Sequence, residues 1–449
     1  MNSLMVIPGP GEALMMTFGL LLCFFAVKKR YEPLLLLPIG LGIVLVNLPV
    51  SPMRAEGSIL SILYDLGIRN ELFPLLIFVS IGAMMDFRPL IDRPWLVVFG
   101  AIGQIGIFGS LVVTLLLGFR LYEAASIGVI GTADGPTSIF VTSLLAPRIL
   151  GPVTLAAYSY MALVPLIQPP IMRLLTTHGE RAVSMSGGTG PEAPPGLVRI
   201  FPWIITILAG LLSPMSIPLI GMLMFGNILA TSGATETLAV SAKQVLSGLV
   251  TLFLGIAVGS RMTADVFLRT ETLLIFALGL FAFAFSTAMG VLLGKLLHAL
   301  GLRVNPLIGA AGLSSFPMSA RLVQQLGREE DRGNHLLMHA ASANVSGQIA
   351  SVLAGGILLD MCMKSGDGSG AGVGASMLLE GMGKVLLGLA LIGLSIQVLK
   401  GIMRNGRKAG AEGGSRTPTR LPLLGPEPSA SASSATSAPG SPDSKESRQ

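Results

Sequence analysis

"GTADGPTS" (Gly131–Ser138) interrupts a hydrophobic stretch, with "EAASIGVI" before it and "IFVTSLLA" after it. A second stretch with the same spacing follows: Gly128, Gly131, Pro136 and Ser138 recur as Gly309, Gly312, Pro317 and Ser319 within and around "GAAGLSSFPMS" (Gly309–Ser319). A helix broken inside hydrocarbon frees backbone N–H and C=O groups, and each costs several kcal/mol if left unsatisfied. Such breaks therefore line cavities. Glycine allows close approach and unusual dihedrals, and Pro136 lacks a donor and ends a helix. Asp134 adds a carboxylate that is costly at depth unless a cation or a hydrogen-bond network accompanies it.

The rest of the chain makes this a membrane context. Of 449 residues, 51% are hydrophobic and 12% are charged, with a mean hydropathy of +0.74. This describes a polytopic membrane protein rather than a soluble domain. Runs long enough to cross a core of ~30 Å are read at 11–27, 33–50, 72–85, 95–118, 151–174, 200–212, 217–231, 244–259, 271–294, 335–359 and 378–399, and two broken stretches lie at 121–147 and 305–322. The runs are continuous rather than alternating, so they are helices and not barrel strands. The opening "MNSLMVIPGP" lacks a basic region, so no cleaved signal peptide is expected. Cys23 and Cys362 lie in or beside spans and are read as packing residues. The net charge of +6 is spread over loops, which excludes a nucleic-acid surface. Neither a nucleotide-binding glycine fingerprint nor an HExxH helix is present.

The two breaks belong to a longer repeat. "PIGLGIVLVN" (Pro38–Asn47) pairs with "PLIGMLMFGN" (Pro218–Asn227), "IGAMMD" (Ile81–Asp86) with "VGSRMT" (Val258–Thr263), and "ALV" (Ala162–Val164) with "ANV" (Ala343–Val345). All pairs occur in order at nearly one offset, which chance does not produce. The expected organisation is a first transmembrane repeat at 11–177, a cytoplasmic linker at 178–199, a second repeat at 200–360, a loop and final span at 361–404, and a disordered tail at 405–449. If the broken segments do not cross, each repeat has an odd number of crossings and the second is inverted. The fold class is thus an all-α polytopic membrane protein with two inverted-topology repeats, each containing a broken or re-entrant helix, plus one extra C-terminal span. The distribution of Lys and Arg then places linker and C-terminus in the cytoplasm and the N-terminus outside.

Several residues are candidates for a site where the breaks meet. Asp134 reads as a hard-cation ligand or proton carrier, or only as the cap of the half-helix that follows it. Na+ suits an aspartate, amides and backbone carbonyls. The hydroxyls of Thr137, Ser138, Ser314 and Ser315 are weaker candidates, because Ser and Thr in membrane helices often bond only the preceding turn. Asn344 in "HAASANVSGQIAS" is either a bridge between helices or a ligand. Tyr160 is a functional tyrosine or an interfacial aromatic. Arg321 is a positive-inside anchor or a partner for a carboxylate. His339 is read as a packing histidine rather than a proton shuttle.

The chain resembles the β subunits of the sodium-ion-translocating biotin-dependent decarboxylases, which act on oxaloacetate, methylmalonyl-CoA, glutaconyl-CoA or malonate. The blocks that carry the resemblance are "IGAMMDFRPLI" from Ile81, "GQIGIFG" from Gly103, "IGTADGPTSIF" from Ile130, "YMALVPLIQPP" from Tyr160, "GSRM" from Gly259, "NPLIGAAGLSSFPMSAR" from Asn305 and "HAASANVSGQIAS" from His339. The resemblance implies a multi-pass subunit of the bacterial plasma membrane that decarboxylates carboxybiotin, takes up a proton and drives Na+ outward. It implies a scaffold and a mobile core. It also implies site roles: Asp134, Tyr160 and Arg321 in catalysis, Arg321 toward carboxybiotin, and Asp134, Asn305, Gly309, Ser314 and Asn344 toward Na+. Thr132 departs from the family's Gly or Ser, and Ser342 from a frequent Gly. "MCMK" (Met361–Lys364) is not a biotinylation sequence, so biotin must arrive covalently on a partner. The implied partners are a carboxyltransferase subunit, a biotin carrier protein, a small membrane-anchored assembly subunit and membrane lipid, with a homo-oligomer also compatible. The rival reading is a Na+-coupled symporter of a small organic anion, since broken inverted repeats serve such transporters too.

Overall fold

The computed structural model describes residues 7–30, 33–49, 51–185, 193–315, 318–365 and 375–412. Contacts divide the chain into a unit Met1–Met403 and a unit Arg404–Gln449. Of the second, only residues 404–412 are described, as helical backbone, so the expected tail begins in helix and its remainder lies outside the described residues.

All regular structure among the described residues is helical, the arrangement in which a segment satisfies its own backbone in hydrocarbon. The first half contains α1 (Pro10–Lys28), α2 (Pro33–Asn47), α3 (Leu72–Met84), α4 (Pro94–Leu116), α5 (Leu121–Gly128), α6 (Gly135–Leu145) and α7 (Leu150–Leu175). The second contains α8 (Pro195–Leu212), α9 (Ile217–Thr231), α10 (Glu236–Gly259), α11 (Thr270–Ala299), α12 (Met318–Glu330) and α13 (Leu337–Ser365), followed by α14 (Ala375–Glu412). Eight helices among the described residues are long and apolar enough to cross a membrane.

Most span ends shift by some residues, α10 beginning at Glu236 rather than 244 and α13 running to Ser365 rather than 359, and three spans carry further features. α3 has 13 residues, about 20 Å at 1.5 Å per residue, which is short of the core thickness. It is bounded by Glu71 in the left-handed region (φ 60°) and by extended Met85. α2 stops at Asn47 rather than at 50. α7 is bent: the segment Pro147–Met161, which includes the 3₁₀ turn before it, meets Leu163–Leu175 at 64°, just ahead of Pro165, which lacks an N–H and crowds the preceding turn. At the linker, α8 starts at Pro195, within the stretch expected to be solvated, because proline suits the first turn of a helix.

Burial separates centre from periphery. In α13, 94% of the most apolar window is buried, against 17% in α1. α1 exposes Leu14, Leu20, Leu21 and Phe24, as a lipid-facing helix should, whereas α13 is enclosed and can carry polar groups that only protein satisfies.

Equivalent contacts recur in the two halves. Asn47 at the end of α2 donates to Met262 O beyond α10 (2.8 Å) and accepts from Ala264 N (3.1 Å). Asn227 in α9 donates to Met85 O beyond α3 (2.9 Å) and to Gly82 O (3.2 Å). Each half therefore anchors the other with an asparagine at the matching position.

Candidate functional site

The first break is built from its own sequence. After α5 the backbone tightens into a 3₁₀ turn, Val129–Thr132, Ala133 takes a left-handed conformation (φ 52°), and Asp134 is extended. A non-glycine residue at positive φ is held there by its surroundings. Asp134 then caps α6: its Oδ1 accepts from Thr137 N (3.3 Å) and its Oδ2 from Thr137 Oγ1 (2.8 Å). Ser138 Oγ donates to Asp134 O (2.8 Å). The capping reading of Asp134 thus holds, but it does not exhaust the side chain. Gln348 Nε2 of α13 also donates to Oδ2, at 2.9 Å, and Asp134 is 3% exposed.

α13 brings the two breaks together. Asn344, Gln348, Ser351 and Gly355 follow an i, i+4, i+7, i+11 pattern and share one helix face. Asn344 Nδ2 donates to Ala311 O (3.2 Å) and Leu313 O (2.6 Å) in the second break. Ser351 Oγ lies 3.1 Å from Thr132 Oγ1 in the first. A Cβ on Gly355 would stand 2.7 Å from Thr137 Cγ2, so its absence lets α6 approach. Across the breaks, Ser314 Oγ donates to Thr132 O (2.9 Å). Asn344 is a bridge, yet its Oδ1 is buried without a partner among the described residues. An acceptor left unpaired in such a place costs about 1–3 kcal/mol. The donor types suit a hard cation: one carboxylate balances one charge, and the same face of α13 carries a free amide oxygen and a hydroxyl.

The second break is a 3₁₀ run, Pro306–Gly312, followed by α12, with residues 316 and 317, including the repeat's Pro317, outside the described residues. It is set by backbone proximity. A Cβ on Gly309 would lie 1.8 Å from Gly290 O of α11, and one on Gly290 would lie 2.2 Å from Gly309 O. Gly309 is therefore a packing residue against α11.

The structure does not bring Asn305 to Asp134. Asn305 Nδ2 donates to Arg181 O (2.7 Å) and Val183 O (2.8 Å), and its Oδ1 accepts from Leu307 N (3.0 Å). Six residues of 3₁₀ helix, about 12 Å, separate it from Ala311, where Asn344 binds. Here the amide of Asn305 serves the backbone of the linker and of its own segment. Tyr160 is buried and its hydroxyl donates to Phe276 O of α11, so it is not an interfacial aromatic. Its ring packs where a Cβ on Gly279 would stand 2.9 Å from it, beside Ile130 of the first break. Arg321 is exposed in the first turn of α12. His339 is buried in the first turn of α13, its Nδ1 without a hydrogen-bond partner among the described residues. Ser315 Oγ lies 2.5 Å from Ser319 Oγ, within its own segment. Gln348 and Ser351 were not singled out by sequence reasoning, although their spacing from Asn344 was the signal that marks them.

Comparison with known proteins gives the family. A family model described as the Na+-transporting oxaloacetate decarboxylase beta subunit matches residues 11–362, which contain both breaks. The chain is 46% identical over 352 residues to the glutaconyl-CoA decarboxylase subunit beta of Acidaminococcus fermentans, covering 78% of this chain and 93% of the relative. It is 46% identical over 356 residues to the methylmalonyl-CoA decarboxylase subunit beta of Veillonella parvula, with 78% and 93% covered. Equal identity to relatives named for different substrates means that similarity selects neither. The match runs through every helix that holds the site, and the chain belongs to the family of Na+-transporting oxaloacetate decarboxylase beta subunits, as an integral membrane protein.

Proposed function

We propose that this chain decarboxylates carboxybiotin presented by a partner protein and couples the loss of CO2 to Na+ export and proton uptake. The observation that carries the reading is the buried carboxylate of Asp134, held between two helix breaks and reached by Gln348. Na+, the cargo, sits at Asp134, with the free Oδ1 of Asn344 and the hydroxyls of Ser314 and Ser351 nearby. One monovalent cation neutralises one carboxylate, and a proton does the same. Exchange of the two at Asp134 leaves the buried site without net charge in either state, which keeps its cost in hydrocarbon low.

Biotin supplies a carboxylated ring nitrogen, whose loss of CO2 requires one proton. Arg321, exposed at the start of α12, meets an incoming carboxylate with a planar fork of N–H donors. Asp134 releases the proton it carries as Na+ takes its place, and the reverse exchange renews it. Tyr160 backs the first break and fixes its distance from α11.

The architecture of this reading is two inverted repeats, 11–177 and 200–360, joined by the linker and followed by a final span. What supports it is the exchange of asparagine anchors: Asn47 binds the stretch after α10, and Asn227 the stretch after α3, at matching repeat positions. A carboxyltransferase subunit, a biotin carrier protein and a small assembly subunit complete the enzyme. The test is purification under mild detergent from cells expressing the whole complex. Copurification of a biotinylated protein, with Na+-stimulated decarboxylation of its carboxybiotin, is expected. Na+-driven uptake of an organic anion by the chain alone, without a biotinylated companion, overturns the reading in favour of a symporter.

A further inference from the structure

Both ends of the second broken segment close on the same piece of linker. Asn305 precedes the 3₁₀ run, and Asn334 follows α12; both are fully buried. Asn305 Nδ2 reaches Arg181 O and Val183 O at 2.7 and 2.8 Å, and Asn334 Nδ2 reaches the same two oxygens at 3.5 and 3.1 Å. Two amide NH2 groups carry four N–H bonds, and two carbonyls carry four lone pairs, so donors and acceptors match in number. The side chain of Arg181 is drawn in as well: it is 4% exposed, Nε donates to Glu330 Oε1 at the end of α12 (2.6 Å), and Nη1 donates to Thr176 O (2.6 Å). Gln324 of α12 donates to Asn334 O (2.9 Å), which holds the second asparagine in place.

We infer that linker residues Arg181–Val183 form a strap that closes the second broken segment, and that Asn305 and Asn334 are positioning residues which grip it. The inference rests on the proposed ion site at Asp134, because the strap acts on that site only through the segment it closes. A few residues after α7 the chain enters the strap, so the end of the first repeat is tied to the start of the second break and to the residues after α12. Movement of one then carries the other. Asn334 lies outside the residues that the family resemblance assigns, and Asn305 acquires a different task from the one assigned.

Aspartate at either position separates a grip from a ligand. It replaces an NH2 donor by an oxygen that repels the two carbonyls, whereas a carboxylate at a cation site binds at least as well as an amide. In the intact complex, Asn305→Asp and Asn334→Asp are each expected to lower the maximal rate of carboxybiotin decarboxylation by about tenfold. The Na+ concentration for half-maximal rate is expected to stay within about twofold of the unmodified protein, and trypsin should cut after Arg181, which is buried in the native chain. A shifted Na+ response in Asn305→Asp together with an unaffected Asn334→Asp overturns the inference and restores Asn305 as a ligand. Continued protection of Arg181 in both variants also overturns it. If neither variant assembles, Glu330→Gln loosens the strap from its outer end, with the same three results expected, and protection of Arg181 there counts against the strap. Failure of the ion-site reading shows itself elsewhere, as unchanged Na+ dependence in Asp134→Asn, and leaves the cleavage result standing.

Discussion

The two broken segments occupy matching places in the chain and are chemically unlike. The first holds its conformation with a side chain: Asp134 caps α6 and takes a further hydrogen bond from Gln348. The second has no acidic residue between Asn305 and Arg328. It is held by backbone contact, Gly309 against Gly290, and by amides that bind its carbonyls or the linker. One half supplies charge and the other supplies position. A site for a single cation needs one carboxylate, since a second buried like charge would resist ionisation. On the proposed reading of the site, the two segments gain from being unequal at this point.

Asp134→Asn tests the charged half most directly. Asparagine caps helices about as well as aspartate, so α6 should persist while the charge is lost. Na+-stimulated decarboxylation is expected to fall by at least about a hundredfold, the scale of one lost buried charge interaction. Unchanged Na+ dependence would reduce Asp134 to a cap and erase the difference between the halves.

Gly309→Ala tests the half that supplies position. The added methyl has no space beside Gly290 O, and overpacking of this kind costs about 1–3 kcal/mol. A lower thermal midpoint of the detergent-solubilised complex is expected, with little change in the Na+ response of the folded fraction. If the variant keeps its stability and shifts the Na+ response instead, Gly309 belongs to the ion site and the comparison must be redrawn.

Gln348→Ala probes the helix between them. It removes a hydrogen bond to a charged group, worth about 1.5–3 kcal/mol, but leaves the two Thr137 contacts in place. The Na+ concentration at half-maximal rate is expected to rise by about tenfold, with a smaller change in maximal rate. An unaltered Na+ titration would show that the amide only packs, and that α13 contributes through Asn344 and Ser351.

Much of this was legible in the amino-acid order. Hydropathy marks the membrane helices, because transfer into hydrocarbon depends on local composition summed over some twenty residues. Glycine, proline and a lone carboxylate mark the breaks, because each acts on its own backbone within a few residues. The repeat is visible as a spacing. Span ends were less so: α10 begins at Glu236, eight residues before the run read at 244. What only the tertiary structure decided is which polar group serves which. Asn305 and Asn344 looked alike as amides near one break, yet one binds the linker and the other the break itself. Gln348 gained its partner 214 residues away. A buried amide must find an acceptor, but no local rule says which, since the choice depends on helices that meet only when the chain has folded.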